Sequence, residues 1–320
     1  MNIQSFLIYF SIVSLELQLS KSLLRRNYAS VPGLKKPEWL KVKISSSNIN
    51  KFTKNIVIKN RLKTVCEEAA CPNIHECWSK KHATFMILGD TCTRSCTFCN
   101  VKTGMPEELD IFEPARVANA GLSLNLEHVV ITSVDRDDLS DGGALQFAKV
   151  INAIKKKSPL TTVEILTPDF YKKINAIDIL NTSSFEIFNH NMETVKRLYR
   201  DVRPGANFTR SLNLLKKMKV SNDRVFTKSG IMIGLGETYN EILYIMNLLL
   251  DNDVDFLTIG QYLRPSKFHH PVIRYHHPDY FKKLEYDAYK KGFKLVSSSP
   301  FTRSSFHADD DFKKLKALVA

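Results

Sequence analysis

The chain has 320 residues, 43% of them hydrophobic and 25% charged. That apolar content is enough to bury a full core, which separates the chain from the small secreted scaffolds that depend on disulfides. A formal charge of +13 favours anionic partners through long-range attraction. No aromatic-rich basic stripe or zinc-finger spacing accompanies it, so nucleic acid is not expected, and an acidic protein partner or a plain solvated lysine-rich surface accounts for the charge.

Residues 1–35 carry Lys21, Arg25, Arg26 and Lys35 against Glu16, a net +3 that leaves +10 on the remainder. Ser5 to Leu19 is mostly apolar, but fifteen residues are short for a bilayer span and no basic segment precedes them. Neither secretion nor stable membrane insertion is therefore expected. The run Leu23 to Ser30 is basic and acid-poor, as organelle transit peptides are. The segment reads as a leader or extended N-terminus outside the fold.

All six cysteines fall in two compact triplets, Cys66-x4-Cys71-x5-Cys77 and Cys92-x3-Cys96-x2-Cys99, with Phe98 just before the last. Disulfides suit small scaffolds short of core, not a chain of this size. Zinc fits poorly as well. Cys96-x2-Cys99 alone has ribbon spacing, but a tetrahedral site needs a second close pair and the upstream gaps are four and five residues. Three thiolates within eight residues can instead hold three corners of an iron–sulfur cube. A closed [4Fe-4S] site takes four cysteines, so a triplet implies a different ligand at the fourth iron.

From Ala83 onward apolar runs alternate with helical patterns, which predicts parallel strands joined by crossover helices. The predicted strands are Ala83–Leu88, His128–Thr132, Thr162–Thr167, Phe185–Asn189, Lys228–Gly234 and Phe256–Gln261. Predicted helices are Ala144–Lys157, Lys172–Leu180, Met192–Tyr199, Thr209–Lys219 and Tyr239–Leu250. Six such units make an α/β partial barrel, (β/α)6, with N- and C-terminal extensions. Functional groups of barrels collect after the C-terminal strand ends. The Cys92–Cys99 loop, Asp135–Asp138, Asp169, Asn189–Asn191, Gly234–Glu237 and Gln261 all fall there. Each alone reads as a cap or a turn; their shared placement predicts a site. His269-His270 and His276-His277 lack a helical i,i+4 register and read as a surface loop, not a metal site.

The C-x3-C-x2-C loop resembles the signature of the radical S-adenosylmethionine (SAM) enzymes, and the pair of triplets resembles lipoyl synthase from about Lys36 onward. Further matching runs are Val65–Asn73, Ile131–Leu139, Phe188–Asn191, Gly234–Glu237 and Arg303–Phe306. Phe306 stands where that family usually has tyrosine, and His75 where glycine is expected. The resemblance implies two [4Fe-4S] clusters. Cys92, Cys96 and Cys99 would hold the one that binds SAM, while Cys66, Cys71, Cys77 and Ser305 would hold an auxiliary one, Ser304 being the alternative oxygen ligand. Ser133, Glu164 and Asn191 are expected among the SAM contacts.

The same resemblance implies that a 5'-deoxyadenosyl radical removes hydrogen at C6 and C8 of a protein-bound octanoyl group, sulfur coming from the auxiliary cluster. Expected partners are octanoylated lipoyl domains of 2-oxoacid dehydrogenase complexes or the glycine cleavage H protein, with a ferredoxin or flavodoxin as electron donor. Residues 36–82 would form the auxiliary-cluster segment, 83–290 the barrel and 291–320 the extension carrying the serine. Rival readings are a radical SAM methylthiotransferase acting on tRNA or a ribosomal protein, and a non-catalytic iron–sulfur electron carrier. The expected compartment is the bacterial cytoplasm, with the mitochondrial matrix as the alternative if residues 1–35 are a transit peptide.

Overall fold

The computed structural model describes residues 34–42 and 48–319. The leader expected at 1–35 therefore lies, but for Leu34 and Lys35, outside the described residues.

Among the described residues there are ten strands: β1 (Lys63–Thr64), β2 (Thr84–Ile87), β3 (Thr91–Cys92), β4 (Lys102–Thr103), β5 (His128–Ser133), β6 (Thr162–Leu166), β7 (Ile187–Asn189), β8 (Phe226–Ile233), β9 (Phe256–Gln261) and β10 (Leu295–Ser299). Eight of them form one sheet in the order β1-β2-β5-β6-β7-β8-β9-β10. Every pairing from β2 to β10 is parallel. Parallel strands covered on both faces read as apolar runs, and β2 and β9 are buried at every residue. The six predicted strands are all there, in the predicted order.

Helices between the strands start and stop where local chemistry dictates. Tyr239–Asp251 opens on a capping box between Thr238 and Glu241. Pro278–Lys291 opens on proline and closes at Gly292, whose φ of +115° is the left-handed cap that glycine adopts without strain. Their apolar faces join the sheet in a continuous core that includes Phe85, Phe147, Phe188, Leu215 and Phe281.

Three expectations need correction. First, β10 pairs with β9 from Leu295↔Phe256 to Ser299↔Gly260, so the sheet runs on past residue 290, where the barrel was expected to end. Only Leu295 and Val296 of that strand are apolar, and Ser297–Ser299 hide it. Second, Met192–Tyr199 is not one helix. Glu193 takes φ +64° and bridges Ile231, with its N–H donating to Gly230 O (2.9 Å) and its C=O accepting from Met232 N (2.8 Å), and helical turns begin only at Lys196. Third, the helix expected from Lys172 begins at Ala176, after turns in which Phe170 and Tyr171 take positive φ, Lys173 N donates to Phe170 O (2.9 Å) and Ala176 N donates to Lys173 O (3.3 Å).

Segments on either side of the barrel pack against it. β1 adds antiparallel to β2. The C-terminal helix Ala308–Val319 lays Phe312 on the ring of His128 and Leu315 against Phe256 and Leu295. No helix among the described residues is long and apolar enough to cross a membrane.

Candidate active site

A cavity of about 550 Å³ opens at the C-terminal ends of the strands, and all six cysteines line it. Ser133, Asn191, Ser304 and Ser305 line it too. Of the expected cluster ligands and SAM contacts only Glu164 is absent from the wall. It lies fully buried lower in the barrel, where Lys228 pairs with it at 3.0 Å and Asn189 Nδ2 donates to it at 2.8 Å. Those partners satisfy the carboxylate and leave it facing the sheet interior.

The Cys92–Cys99 loop springs from the two-residue strands β3 and β4, which pair in parallel. Backbone N–H groups of Arg94 (3.4 Å) and Asp135 (3.3 Å) donate to Cys92 Sγ. The Arg94 side chain turns under the loop and grips Asp137 with Nε and Nη2 (2.7 and 2.8 Å) and Asp169 with Nη2 (2.6 Å). Its Nη1 is 3.3 Å from Asp135, an ion pair without hydrogen-bond geometry. Burial works against ionisation of Asp169, but Arg94 overrides it and holds the carboxyl down to about 2. The acidic cluster after β5 and β6 thus belongs to the loop's foundations, and Asp138 pairs with Arg136.

The far wall is built by residues 66–77 and 302–306. Asn73, between Cys71 and Cys77, donates to Phe301 O (2.7 Å), and Asn100 donates to Glu68 O (2.9 Å). Glycine is required where the serine loop crosses the barrel. A Cβ on Gly260 would meet Thr302 O at 2.1 Å, and one on Gly230 would meet Asn191 Oδ1 at 2.8 Å and Ser304 Oγ at 3.0 Å. Ser304 donates to Asn191 Oδ1 (2.8 Å), whereas Ser305 Oγ has no hydrogen-bond partner among the described residues.

Burial raises every thiol: Cys66 and Cys96 to about 11, Cys92 and Cys99 to about 12, with Cys71 and Cys77 also moved up. At neutral pH all six are protonated, and binding iron would expel a proton from each sulfur used. Among the described residues no three His, Cys, Asp or Glu side chains converge on one metal-ion position. A cubane does not ask them to, since each thiolate binds its own iron.

The radical SAM superfamily pattern matches residues 86–249, just over half of the sequence. The chain belongs to the radical SAM superfamily. Among solved structures, Streptococcus suis SuiB bound to S-adenosylmethionine superposes with a TM-score of 0.52 at 13% identity, over 70% of this chain and 53% of SuiB. Methylornithine synthase (PylB) superposes at 0.50 with 14% identity, over 86% of this chain and 89% of that one. Identities this low establish a shared fold, and the chain spans about half of SuiB's length.

A radical SAM enzyme carries a [4Fe-4S] cluster and SAM, and the donor set fits both. Three thiols stand on one wall with N–H groups aimed at a sulfur. Beside them are Ser133 Oγ, buried and unpartnered, and Arg203, 8% exposed with Nε unpartnered. Sequence reasoning missed Arg94, Arg203 and Glu193. The left-handed Glu193, accepting from Asn191 Nδ2 (3.0 Å), lines the cavity where a helix was expected. Other expected motifs turn out to be supports. Glu237 accepts from the N–H groups of Gly234 and Leu235, and Gln261 Nε2 donates to Ile233 O and Arg274 O. The His269-His270 loop docks on the cluster loop, where His270 N donates to Thr97 O (2.8 Å) and His269 Nε2 meets Cys99 O (3.1 Å).

Proposed function

We propose that this radical SAM enzyme is a lipoyl synthase, inserting sulfur at C6 and C8 of the octanoyl group carried by a lipoyl domain. The observation that carries the reading is the meeting of both cysteine triplets and Ser305 on one cavity. A generic radical SAM enzyme has no use for the second triplet, and a closed electron carrier has no use for the cavity.

Cys92, Cys96 and Cys99 would hold the SAM-binding cluster and Cys66, Cys71, Cys77 and Ser305 the auxiliary one; bound there, the two supply the electron for SAM cleavage and the sulfur for insertion. The chain's residues set the conditions. N–H groups of Arg94 and Asp135 stabilise charge on Cys92 Sγ. Arg203 and Ser133 line the cavity beside the cysteine loop, and each keeps one buried polar atom without a partner, so they would suit the carboxylate and hydroxyl groups of SAM. Ser304 is committed to Asn191, which leaves Ser305 as the hydroxyl able to lose its proton and bind iron. An alkoxide is a harder ligand than a thiolate, so it suits a site that must release iron once sulfur has been taken. The barrel walls, with Val130, Leu166 and Met232 on the cavity, keep water from an alkyl chain.

Acidic lipoyl domains of 2-oxoacid dehydrogenase complexes or the glycine cleavage H protein complement the chain's positive charge. A ferredoxin or flavodoxin would supply electrons, and a reducing compartment such as the bacterial cytoplasm or the mitochondrial matrix keeps the thiols free. The test is the reduced holoenzyme with SAM and an octanoylated lipoyl domain, followed by mass spectrometry of the domain. Gain of two sulfur atoms with loss of two hydrogens is expected. SAM cleavage without sulfur transfer would reject the reading and leave only the superfamily.

A further inference from the structure

The nine residues from Thr93 to Val101 contain no helix or strand, and the strands on either side are two residues long. Ladder pairing therefore holds the loop only at Cys92, and its remaining backbone ties are single bonds such as Thr97 N–H to Val202 O (3.0 Å). Arg94 is placed to fix where the three sulfurs stand relative to the SAM-facing wall. Its N–H touches Cys92 Sγ, and its side chain, 4% exposed, spans to two strand ends: Asp135 and Asp137 beyond β5, and Asp169 beyond β6. Asp169 is held from its other oxygen by Arg210 at 3.2 Å, which ties the network to the helix Phe208–Ser221. A parallel tie runs through Thr93, whose N–H and hydroxyl both donate to Asp135 O.

Several buried charges make a poor way to gain stability, because desolvation offsets much of their attraction. They make a good way to fix geometry. A guanidinium presents a rigid planar fork that engages two carboxylates at set angles, which the single ammonium of lysine cannot do. Asp135 is two residues past Ser133 on the same strand end, so a grip on Asp135 and Asp137 sets the spacing between the sulfurs and the wall that carries Ser133.

We infer that Arg94 is a positioning residue, whose grip on Asp135, Asp137 and Asp169 holds the three-thiol loop in register with the SAM-facing wall. The inference rests on the superfamily assignment, not on the lipoyl reading. Failure of sulfur insertion would leave it standing, since its readouts need SAM alone.

The test uses the reconstituted full-length protein with Arg94→Lys, Asp137→Asn and the double variant. Iron content, the Kd for SAM and the SAM-induced change in the electron paramagnetic resonance spectrum of the reduced cluster are measured beside the kcat and KM of SAM cleavage. Both single variants should keep wild-type iron and melt within a few degrees of wild type, bind SAM at least tenfold more weakly, and show a diminished spectral change. The double variant should be no worse than the weaker single, because both substitutions cut the same tie. Wild-type SAM affinity and spectral change in both singles would overturn the inference. So would additive losses in the double variant. Loss of iron from both singles would also overturn it, by showing that the network only keeps the loop folded.

Discussion

The two walls of the cavity are held in different ways. The SAM-cluster loop is tied downward into the barrel by Arg94, whose side chain is 4% exposed, and by N–H groups at the end of β5. The upstream triplet, Cys66, Cys71 and Cys77, is clasped against residues 301–309. One part-buried hydrogen bond, Asn73 Nδ2 to Phe301 O, is backed by partly exposed pairs such as His307 with Glu76 (3.1 Å) and His82 with Asp309 (3.4 Å). Exposed pairs contribute only about 0.2–1 kcal/mol each. One triplet is thus anchored by a buried ion network at the strand ends, and the other by hydrogen bonds and partly exposed pairs between residues 66–82 and 300–309. Under the proposed function, such an arrangement would suit a cluster that is dismantled and rebuilt beside one that is not.

The comparison breaks most decisively at Gly260. An alanine there would drive its Cβ into the backbone of Thr302. Overpacking of this kind costs about 2–3 kcal/mol, and the serine loop should lift away. Iron assays of Gly260→Ala should show the auxiliary half lost and the SAM-cluster half kept. Equal loss from both sites would mean that the walls are not independent.

A second substitution probes the opposite end of the barrel, where neither wall should respond. Asp255 accepts from Thr227 N and pairs with Lys219 and Lys294. Burial alone would raise its carboxyl, but the two lysines and the N–H hold it below the usual carboxylate range. A folded-state pKa below the unfolded value of about 3.9 adds stability above about pH 4, and that stability is lost as the pH falls through the folded value. Asp255→Asn should therefore cost about 1–2 kcal/mol at pH 7. In urea melts the gap from wild type should narrow as the pH is lowered below about 4. A gap that stays constant as the pH falls would remove the carboxylate from the account.

Asn73→Ala should cost about 1 kcal/mol by leaving Phe301 O without its donor. Hydrogen exchange should show residues 66–79 and 300–307 opening faster, with 92–99 unchanged. The smallest effect belongs to Glu76→Gln. The Glu76 side chain is 53% exposed in its pair with His307, so stability should change by less than about 0.5 kcal/mol. A larger loss would show that the clasp is stronger than its exposure implies.

Much of this was legible in the sequence because it depended on local pattern. Six strands announced themselves as apolar runs, and the six cysteines by spacing alone. What escaped depended on tertiary partners. β10 ends in three serines and is a strand only because β9 offers its edge. Glu193 follows Asn191 in a stretch with helical periodicity, yet its backbone bridges Ile231. Arg94 reads as one more basic residue until three carboxylates from two strand ends surround it. Asp135, Asp137 and Asp169 did stand out as a group on the right rim, but their roles could not be told from spacing, since a carboxylate that grips an arginine and one that meets a ligand look the same in a sequence. Glu164 was expected on the cavity wall, and Lys228, brought in from β8, holds it beneath.

The central claim is that the two triplets serve different steps and that Ser305 belongs to the second. The most direct measurement compares Ser305→Ala with wild type in one reaction, quantifying 5'-deoxyadenosine and the mass of an octanoylated lipoyl domain together. The account predicts that SAM is still cleaved while sulfur insertion fails. Normal lipoyl formation by Ser305→Ala, with Ser304 intact, would contradict it.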